Sequence, residues 1–316
     1  MRSRAGRAVA AAVGAGVLGT AAACTLTPGR DAGGTPGEAG PIVLAVADNT
    51  AFTRDVAAGA RSVAAEAGVE VVVVDAAADP DLQAEQLQIA AEMRSAAVIV
   101  NAVDVGDPAA RAAPVAEAGI PIVALDTALP GVPLASYVTS DNVDGGRQAA
   151  QRLARLVGYD GLIVHLEGTP ATNVSRERGQ GFDEGLRDFP GVVVAARVTA
   201  DFDRDVALSV MSDLLAANPR IVGVFAESDP MALGAVEALR DRAGDDVQVV
   251  GYGADGPGVG AVRTGTVAAT IDVRAEELGE VAMRQAVAAA AGEPVGDVVA
   301  VPVTLVDRED LSQPGR

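Results

Sequence analysis

Short apolar runs alternate with amphipathic segments of helical length along the chain from Pro41 onward. The apolar runs are typical of buried strands and lie at Ile42–Ala47, Val69–Val74, Ala97–Val100, Ile120–Leu125, Leu162–Leu166, Val192–Val198, Val222–Phe225, Val247–Val250 and Val267–Ile271. The intervening pattern predicts helices at Val56–Ala67, Asp81–Arg94, Pro108–Ala118, Asp141–Leu156, Thr172–Arg187, Asp203–Ala217, Asp229–Arg240 and Arg274–Ala291. Continuous apolar strands joined by helices indicate parallel sheets covered on both faces, so the sequence predicts an α/β fold.

The alternation of strands and helices is completed once and then starts again at Leu162, which predicts two similar lobes. The last strand and helix, at 267–271 and 274–291, must then return to one lobe, so we expect more than one crossing between lobes. The dipeptide Asp229-Pro230 predicts that Asp229 caps a helix that begins with proline. Ligands bind beyond the carboxyl ends of the strands in such sheets, and the candidate site is expected there.

The amino-terminal segment has the order of a secretory signal. Arginines at positions 2, 4 and 7 precede the apolar stretch Ala8–Leu18, and small residues lead to Cys24, the single cysteine. Because the apolar stretch is too short to span a bilayer, residues 1–23 are predicted to be a signal peptide, and lipidated Cys24 is predicted to anchor the protein to the outer face of the cell membrane. An ordinary secretory peptide with Ala21–Ala23 as its cleavage site is the alternative. Residues 24–40, rich in Gly, Pro and Thr, are predicted to be a flexible tether.

Composition excludes several classes of function. The 24 basic residues are all arginine and face 43 acidic residues, and the formal charge of −19 becomes −22 when the leader and its three arginines are removed. Such an acidic surface repels phosphate backbones, so no nucleic-acid partner is expected. One cysteine excludes an internal disulfide, and one cysteine with one histidine leaves too few ligands for an ordinary zinc site.

Enzyme signatures are weak. The first strand is followed by Ala47–Phe52 without a GxGxxG cradle, and the late segment 251–260 (GYGADGPGVG) is interpreted as a flexible loop, so no cofactor is expected. No GxSxG elbow is present, and His165, the single histidine, lies in the apolar strand LIVHLEG and is expected in the core. Carboxylates are abundant enough for a paired-acid glycosidase, although the sequence singles out no pair, and that alternative stays open.

The strand ends make a better case for a binding site. Asp126 ends the strand IPIVALD, where its carboxylate can accept hydrogen bonds from two adjacent hydroxyls, and Arg178 offers a planar set of donors. Phe52 and Phe202 offer flat apolar faces to the C–H surfaces of a sugar ring. Each has a structural alternative: a strand-end cap for Asp126, an ion pair for Arg178 and core packing for the two phenylalanines.

Six motifs are spread over the mature chain. They are IPIVALD (120–126), TSDNVDGGRQAA (139–150), SRERGQGF (175–182), ADFDRD (200–205), FAESDPMALGA (225–235) and VAATI (267–271). Through them the body of the chain, from about Ile42 to Leu305, resembles the periplasmic sugar-binding proteins of ABC transporters, in particular the ribose-binding branch. The resemblance implies two Rossmann-like lobes joined by three hinge strands, with the ligand held between them. It implies a first lobe of residues 41–140 plus 274–302 and a second of 141–273 plus 303–316.

The resemblance also implies roles for individual residues. By position, Asp126 matches the aspartate that binds sugar hydroxyls, Arg178 matches the donor on the facing lobe, and Phe52 and Phe202 match aromatics that sandwich the ring. The other pocket positions depart from the family pattern and are occupied by Thr50, Thr53, Thr127, Ser228, Gly253 and Val273. Because several charged or amide groups are replaced, we expect a roomier and less polar pocket that binds a sugar or a sugar-like polyol.

The expected function is that of an extracytoplasmic solute-binding lipoprotein, monomeric and without enzymatic activity, that delivers its ligand to the membrane subunits of an ABC permease. A sensor of the same fold that reports its ligand to a membrane receptor or kinase is the alternative. A transcriptional regulator of the LacI type is a third reading, but it requires a basic helix-turn-helix ahead of the core, where this chain has a leader and a tether. An enzyme on the same scaffold is the last alternative.

Overall fold

The computed structural model describes residues 40–312, and within them two six-stranded sheets form. The first sheet has the order β11-β5-β4-β3-β1-β2 and the second β12-β10-β9-β8-β6-β7, with β12 antiparallel to β10 and all other pairs parallel. The strands of the first sheet are β1 Ile42–Val46, β2 Val71–Asp75, β3 Ala97–Val100, β4 Ile122–Leu125, β5 Ser136–Ser140 and β11 Val298–Val301. Those of the second are β6 Gly161–Glu167, β7 Val192–Thr199, β8 Ile221–Ala226, β9 Gln248–Gly253, β10 Ala269–Asp272 and β12 Thr304–Asp307. The α/β prediction is confirmed.

Helices cover the faces of both sheets, and each sheet with its helices forms one lobe. The first lobe contains α1 Ala51–Ala67, α2 Pro80–Glu92, α3 Pro108–Glu117 and α9 Ala275–Ala290. The second contains α4 Asn142–Leu156, α5 Asn173–Leu186, α6 Arg204–Ala217, α7 Asp229–Leu239 and α8 Gly256–Thr264. Among the helices of residues 40–312, none is long and apolar enough to cross a membrane.

Strand β1 shows why the apolar runs are continuous. All five of its residues are buried, and alternate side chains enter two different cores. Ile42, Leu44 and Val46 pack under α1 and α9, whereas Val43 and Ala45 pack on the opposite face of the same sheet. Because successive side chains of a strand point to opposite faces, a strand with helices on both sides must be apolar at every position.

The chain passes between the lobes three times within residues 40–312. It leaves the first sheet after β5, returns after β10 to form α9 and β11, and leaves again after β11 to form β12. The backbone N–H of Asp141 donates to the carbonyl oxygen of Val301 at 2.9 Å, which ties two of these crossings together. The three crossing segments are therefore the backbone connection between the lobes within these residues, and two of them lie side by side.

Close helix contact fixes α9 to the first lobe although it follows a strand of the second. A Cβ atom at Gly59 would lie 1.9 Å from the carbonyl oxygen of Glu276, and one at Gly279 would lie 1.9 Å from that of Val56. No side chain fits in either place, so the backbones of α1 and α9 touch directly. The two glycines thus decide where the returning chain packs.

One predicted helix start and one predicted helix cap are wrong. Helix α1 begins at Ala51 rather than Val56, since Thr50 accepts a hydrogen bond from the backbone N–H of Thr53 and caps the helix earlier. Helix α7 is capped by Ser228, and Asp229 is a buried residue of its first turn rather than the cap.

The interpretation of residues 251–260 as a flexible loop is also wrong. The segment contains the end of β9 and the start of α8, because Asp255 caps the helix through Gly258 N–H at 2.7 Å and Pro257 stands in its first turn. The predicted signal peptide, Cys24 and nearly all of the predicted tether lie outside the described residues.

Candidate ligand-binding site

A cavity of about 360 Å³ lies between the two lobes, at the carboxyl ends of their strands. Residues that follow β1, β3 and β4 line it from the first lobe, and residues that follow β6, β7, β8 and β9 line it from the second. All ten residues predicted to form the pocket line this one cavity: Thr50, Phe52, Thr53, Asp126, Thr127, Arg178, Phe202, Ser228, Gly253 and Val273. The structure therefore brings the predicted set together, while the role of each residue in binding stays a prediction.

Asp126 is held in an unusual backbone conformation directly after β4. Its φ is +63°, in the left-handed region, which aspartate tolerates better than most residues. Its backbone N–H donates to Val138 at 2.8 Å, and its carbonyl accepts from the hydroxyls of Tyr137 at 2.8 Å and Thr139 at 3.1 Å. Burial raises the pKa of the Asp126 carboxyl, an effect that Arg178 opposes. These bonds fix the backbone of Asp126, and the residue lines the cavity.

Arg178 lies in α5 on the second lobe and is only 7% exposed. Its Nε donates to Asn142 Oδ1 at 2.9 Å, and its Nη1 donates to the carbonyl oxygen of Glu227 at 2.6 Å. The guanidinium carbon lies 3.9 Å from the centre of the Tyr252 ring and 5.8 Å from that of Phe202. These contacts use some of the five N–H donors and fix the guanidinium plane, which leaves the remaining donors free for a ligand.

A buried polar cluster stands behind Arg178 and supports the backbone that binds it. One carboxylate oxygen of Glu227 pairs with His165 Nε2 at 2.8 Å, and the other accepts from Gly168 N–H at 2.8 Å and Ser175 Oγ at 2.6 Å. His165 is fully buried, as predicted, and its Nδ1 has no hydrogen-bond partner among the described residues. Because its side chain is anchored on three sides, Glu227 presents its carbonyl to Arg178 in a constant position.

The two predicted aromatics reach the cavity from different lobes. Phe52 stands in the first turn of α1, and Phe202 follows β7 in a tight turn with a φ of +59°. The Phe202 ring lies on Gly168, where a Cβ atom would come within 2.0 Å of the ring. Both side chains also pack partly against hydrophobic cores, so each contributes to a core and to the wall of the cavity.

Most of the hydroxyls at the divergent positions are already used by the protein. Thr50 and Ser228 cap α1 and α7, and the buried hydroxyl of Thr53 donates to the carbonyl oxygen of Asp48 at 2.8 Å. Gly253, with a φ of +136°, and the buried Val273 add no polar side chain at all. Together these positions offer a ligand fewer polar groups than charged or amide side chains would.

Several residues that line the cavity were not among the predicted site residues. They are Tyr252, Asp48, Asn101, Asp104 and Asp255. All of them lie at the ends of strands that the apolar pattern predicts. The sequence therefore placed them near the site but did not distinguish them from the other residues at those ends. Tyr252 has no local signal, since its role as the platform under Arg178 depends on packing between β9 and α5.

The lining is acidic. Among the lining residues of the described chain, five aspartates (Asp48, Asp55, Asp104, Asp126, Asp255) stand against one arginine, Arg178. A concave surface of one sign focuses the potential, so this cavity disfavours anions and suits neutral molecules rich in hydroxyls.

Comparison with known proteins agrees with this architecture. The family described as periplasmic binding protein domain matches residues 40–294. The ribose import binding protein of Escherichia coli (strain K12) is 33% identical over 262 residues, which are 83% of this chain and 88% of that protein. A solute-binding protein from Agrobacterium radiobacter, solved with D-arabinose, superposes with a TM-score of 0.79 at 30% identity and covers 88% of this chain and 97% of its own. One from Bacillus halodurans C-125, solved with myo-inositol, gives a TM-score of 0.80 at 27% identity over 88% of this chain and 98% of its own.

These relatives are named as binding proteins, and the two solved structures have the fold found here. The resemblance inferred from the six motifs is therefore confirmed. With two α/β lobes, a cavity between their strand ends and a family match over most of its length, the chain belongs to the periplasmic binding protein domain family.

Proposed function

We propose that this protein captures a sugar or a sugar-like polyol between its lobes outside the cytoplasm and delivers it to the membrane subunits of an ABC permease. The observation that carries the proposal is that Asp126 from the first lobe and Arg178 from the second line the same cavity. A carboxylate accepts hydrogen bonds from hydroxyls and a guanidinium donates them, so a polyol can bind both lobes at once. The family match and the ligands named for the relatives support the same conclusion.

Binding is coupled to closure of the lobes in this proposal. The first lobe comprises residues 41–140 plus 274–302 and the second 141–273 plus 303–316. A ligand that contacts both lobes has a higher affinity for the closed state, and its binding shifts the population toward that state. The permease then recognises the closed form, whose two outer faces stand in a fixed relation.

The ligand is a neutral pentose, hexose or polyol. Phe52 and Phe202 offer flat faces to its C–H surfaces, and Asp126 and Arg178 bind its hydroxyls. The ribose relative, the D-arabinose complex and the myo-inositol complex support this class. Because Thr127, Gly253 and Val273 stand where the family carries charged or amide groups, D-ribose is one candidate among several and not the default.

The location follows from the leader. Residues 1–23 act as an export signal, Cys24 carries the lipid, and residues 24–40 connect it to the body. The mature protein is a monomer held at the outer face of the cell membrane, close to its permease.

A thermal-shift screen of residues 25–316 against D-ribose, D-allose, D-arabinose, xylitol and myo-inositol tests the proposal. A ligand at a hundred times its Kd adds about 2.7 kcal/mol of stability, which raises Tm by roughly 5–10 °C for a protein of this size. Asp126→Asn should abolish the shift, whereas Asp213→Asn, which changes an exposed carboxylate on α6, should retain it. A panel without any shift, or an equal shift in both variants, would contradict the proposed site.

A further inference from the structure

We propose that Asn173 is a latch between the lobes, a positioning residue that stabilises their closed arrangement and raises ligand affinity without contacting the ligand. The inference rests on the proposed function, because it assumes that closure accompanies ligand capture. Asn173 is the first residue of α5 and belongs to the second lobe. Its two partners, Ala128 and Tyr137, belong to the first lobe.

The side-chain amide of Asn173 uses both of its polar atoms across the cleft. Its Oδ1 accepts from the backbone N–H of Ala128 at 2.9 Å, and its Nδ2 donates to the Tyr137 hydroxyl at 2.8 Å. The second Nδ2 proton is directed to Glu177 Oε1, 3.1 Å away on the next turn of α5, which orients the amide. Within residues 40–312, the hydrogen bonds that join the lobes away from the three crossing segments are both made by this residue.

The Tyr137 hydroxyl is well suited to be the partner. Burial raises its pKa to about 12, so it remains protonated at any physiological pH. It donates its proton to the carbonyl oxygen of Asp126 at 2.8 Å and accepts from Asn173 at the same time. The latch is thus connected to the backbone that positions the Asp126 carboxylate.

Neither Asn173 nor Tyr137 lines the cavity, although their neighbours Thr172, Val174 and Asp126 do. A ligand can therefore bind without touching either residue. Hydrogen bonds weaken steeply beyond about 3.5 Å, so an opening of the lobes by one or two ångströms breaks both bonds. The bonds consequently contribute to the closed state alone, and they shift the equilibrium between open and closed lobes in its favour.

The first test needs no sugar. Small-angle X-ray scattering of the full ligand-free chain should give a larger radius of gyration for Asn173→Ala than for the wild type. Gln180→Ala is the matched control, because Gln180 is an exposed amide of the same helix that bonds Glu184 within the second lobe. Its radius should equal that of the wild type. Alanine is a good helix former and Thr172 remains as the cap of α5, so circular dichroism and cooperative unfolding should be unchanged. Equal radii for all three proteins would overturn the latch.

The second test measures kinetics with D-ribose, D-arabinose and myo-inositol. For each sugar that the wild type binds, Asn173→Ala should weaken affinity by about tenfold to thirtyfold, the ratio expected for two ordinary hydrogen bonds. The loss should appear in the dissociation rate, since both bonds must break before a bound sugar can leave. Unchanged dissociation would refute the proposal. If the wild type binds none of the sugars, the proposed function fails, and the scattering experiment still decides whether the latch exists.

Discussion

Replacing Arg178 by lysine tests whether the guanidinium plane, and not merely its charge, is required. Lysine can retain the hydrogen bond to the carbonyl oxygen of Glu227, but it loses the Nε bond to Asn142 and the flat contact with Tyr252. A hydrogen bond of a charged group contributes about 1.5–3 kcal/mol, and the contact of the guanidinium with the ring contributes roughly 0.5–1 kcal/mol. We expect Arg178→Lys to lower the free energy of unfolding by about 2–4 kcal/mol.

The assay is thermal unfolding of the ligand-free chain, followed by the sugar screen. At roughly 2–4 °C per kcal/mol, Tm should fall by about 5–15 °C. The shift induced by the best sugar should disappear. Arg220→Lys, at an exposed position, is the control and should leave both values unchanged. A lysine variant with the Tm and the sugar response of the wild type would show that Asn142 and Tyr252 do not hold Arg178 in the way described.

Three further predictions follow from the same contacts. A Cβ atom at Gly258 would lie 2.1 Å from Asp229 Oδ2, whereas one at Gly260 meets nothing within 4 Å. In urea unfolding, Gly258→Ala should therefore lower the free energy of unfolding by about 1–3 kcal/mol, and Gly260→Ala should raise it by about 0.5–1 kcal/mol. Effects of equal sign in the two variants would contradict this. Burial raises the pKa of Asp229 from 3.8 to about 7, so the free energy of unfolding should fall as pH rises through this range, by at most about 1.4 kcal/mol per pH unit. Asp229→Asn should remove that contribution, and parallel pH profiles of variant and wild type would disprove it. Phe202→Leu should weaken sugar binding by about tenfold in calorimetry through loss of a ring face. Phe189→Leu, whose ring stacks on Tyr159 and does not line the cavity, should bind as the wild type does, and equal losses in both would refute the role of Phe202.

The apolar strands could be predicted because their signal is local. In β1, β3 and β4 every residue is buried, so each strand is written in the sequence as an unbroken apolar run. Strand β5 was not recognised, since it reads Ser136–Ser140 with hydroxyl residues whose side chains serve tertiary contacts. Ser136 donates to the carbonyl oxygen of Gly296 at 2.6 Å, 160 residues away, and Thr139 donates to Asp126. A strand whose polar side chains make contacts with distant parts of the chain shows no apolar pattern in the sequence.

The caps of helices α1 and α7 could not be predicted, for a different reason. A sequence often contains several residues able to cap a helix, and the one used depends on where the preceding strand stops. At α7 both Ser228 and Asp229 are suitable, and Asp229 is instead buried, where Thr270 donates to it at 2.7 Å. Helix α8 was taken for a loop because its glycines argue against a helix, but Asp229 leaves no room for a side chain at Gly258.

The sequence by itself determined the fold class and predicted ten of the residues that line the cavity. Apolar runs and helical periods are local properties, and three of the six motifs contain Asp126, Arg178 and Phe202. Only the tertiary structure decided how Arg178 is held by Asn142, Glu227 and Tyr252, and that Asn173 bridges the lobes to Ala128, 45 residues away in the chain. Such contacts join residues that are distant in sequence, and their hydrogen-bond geometry exists only after the lobes have packed.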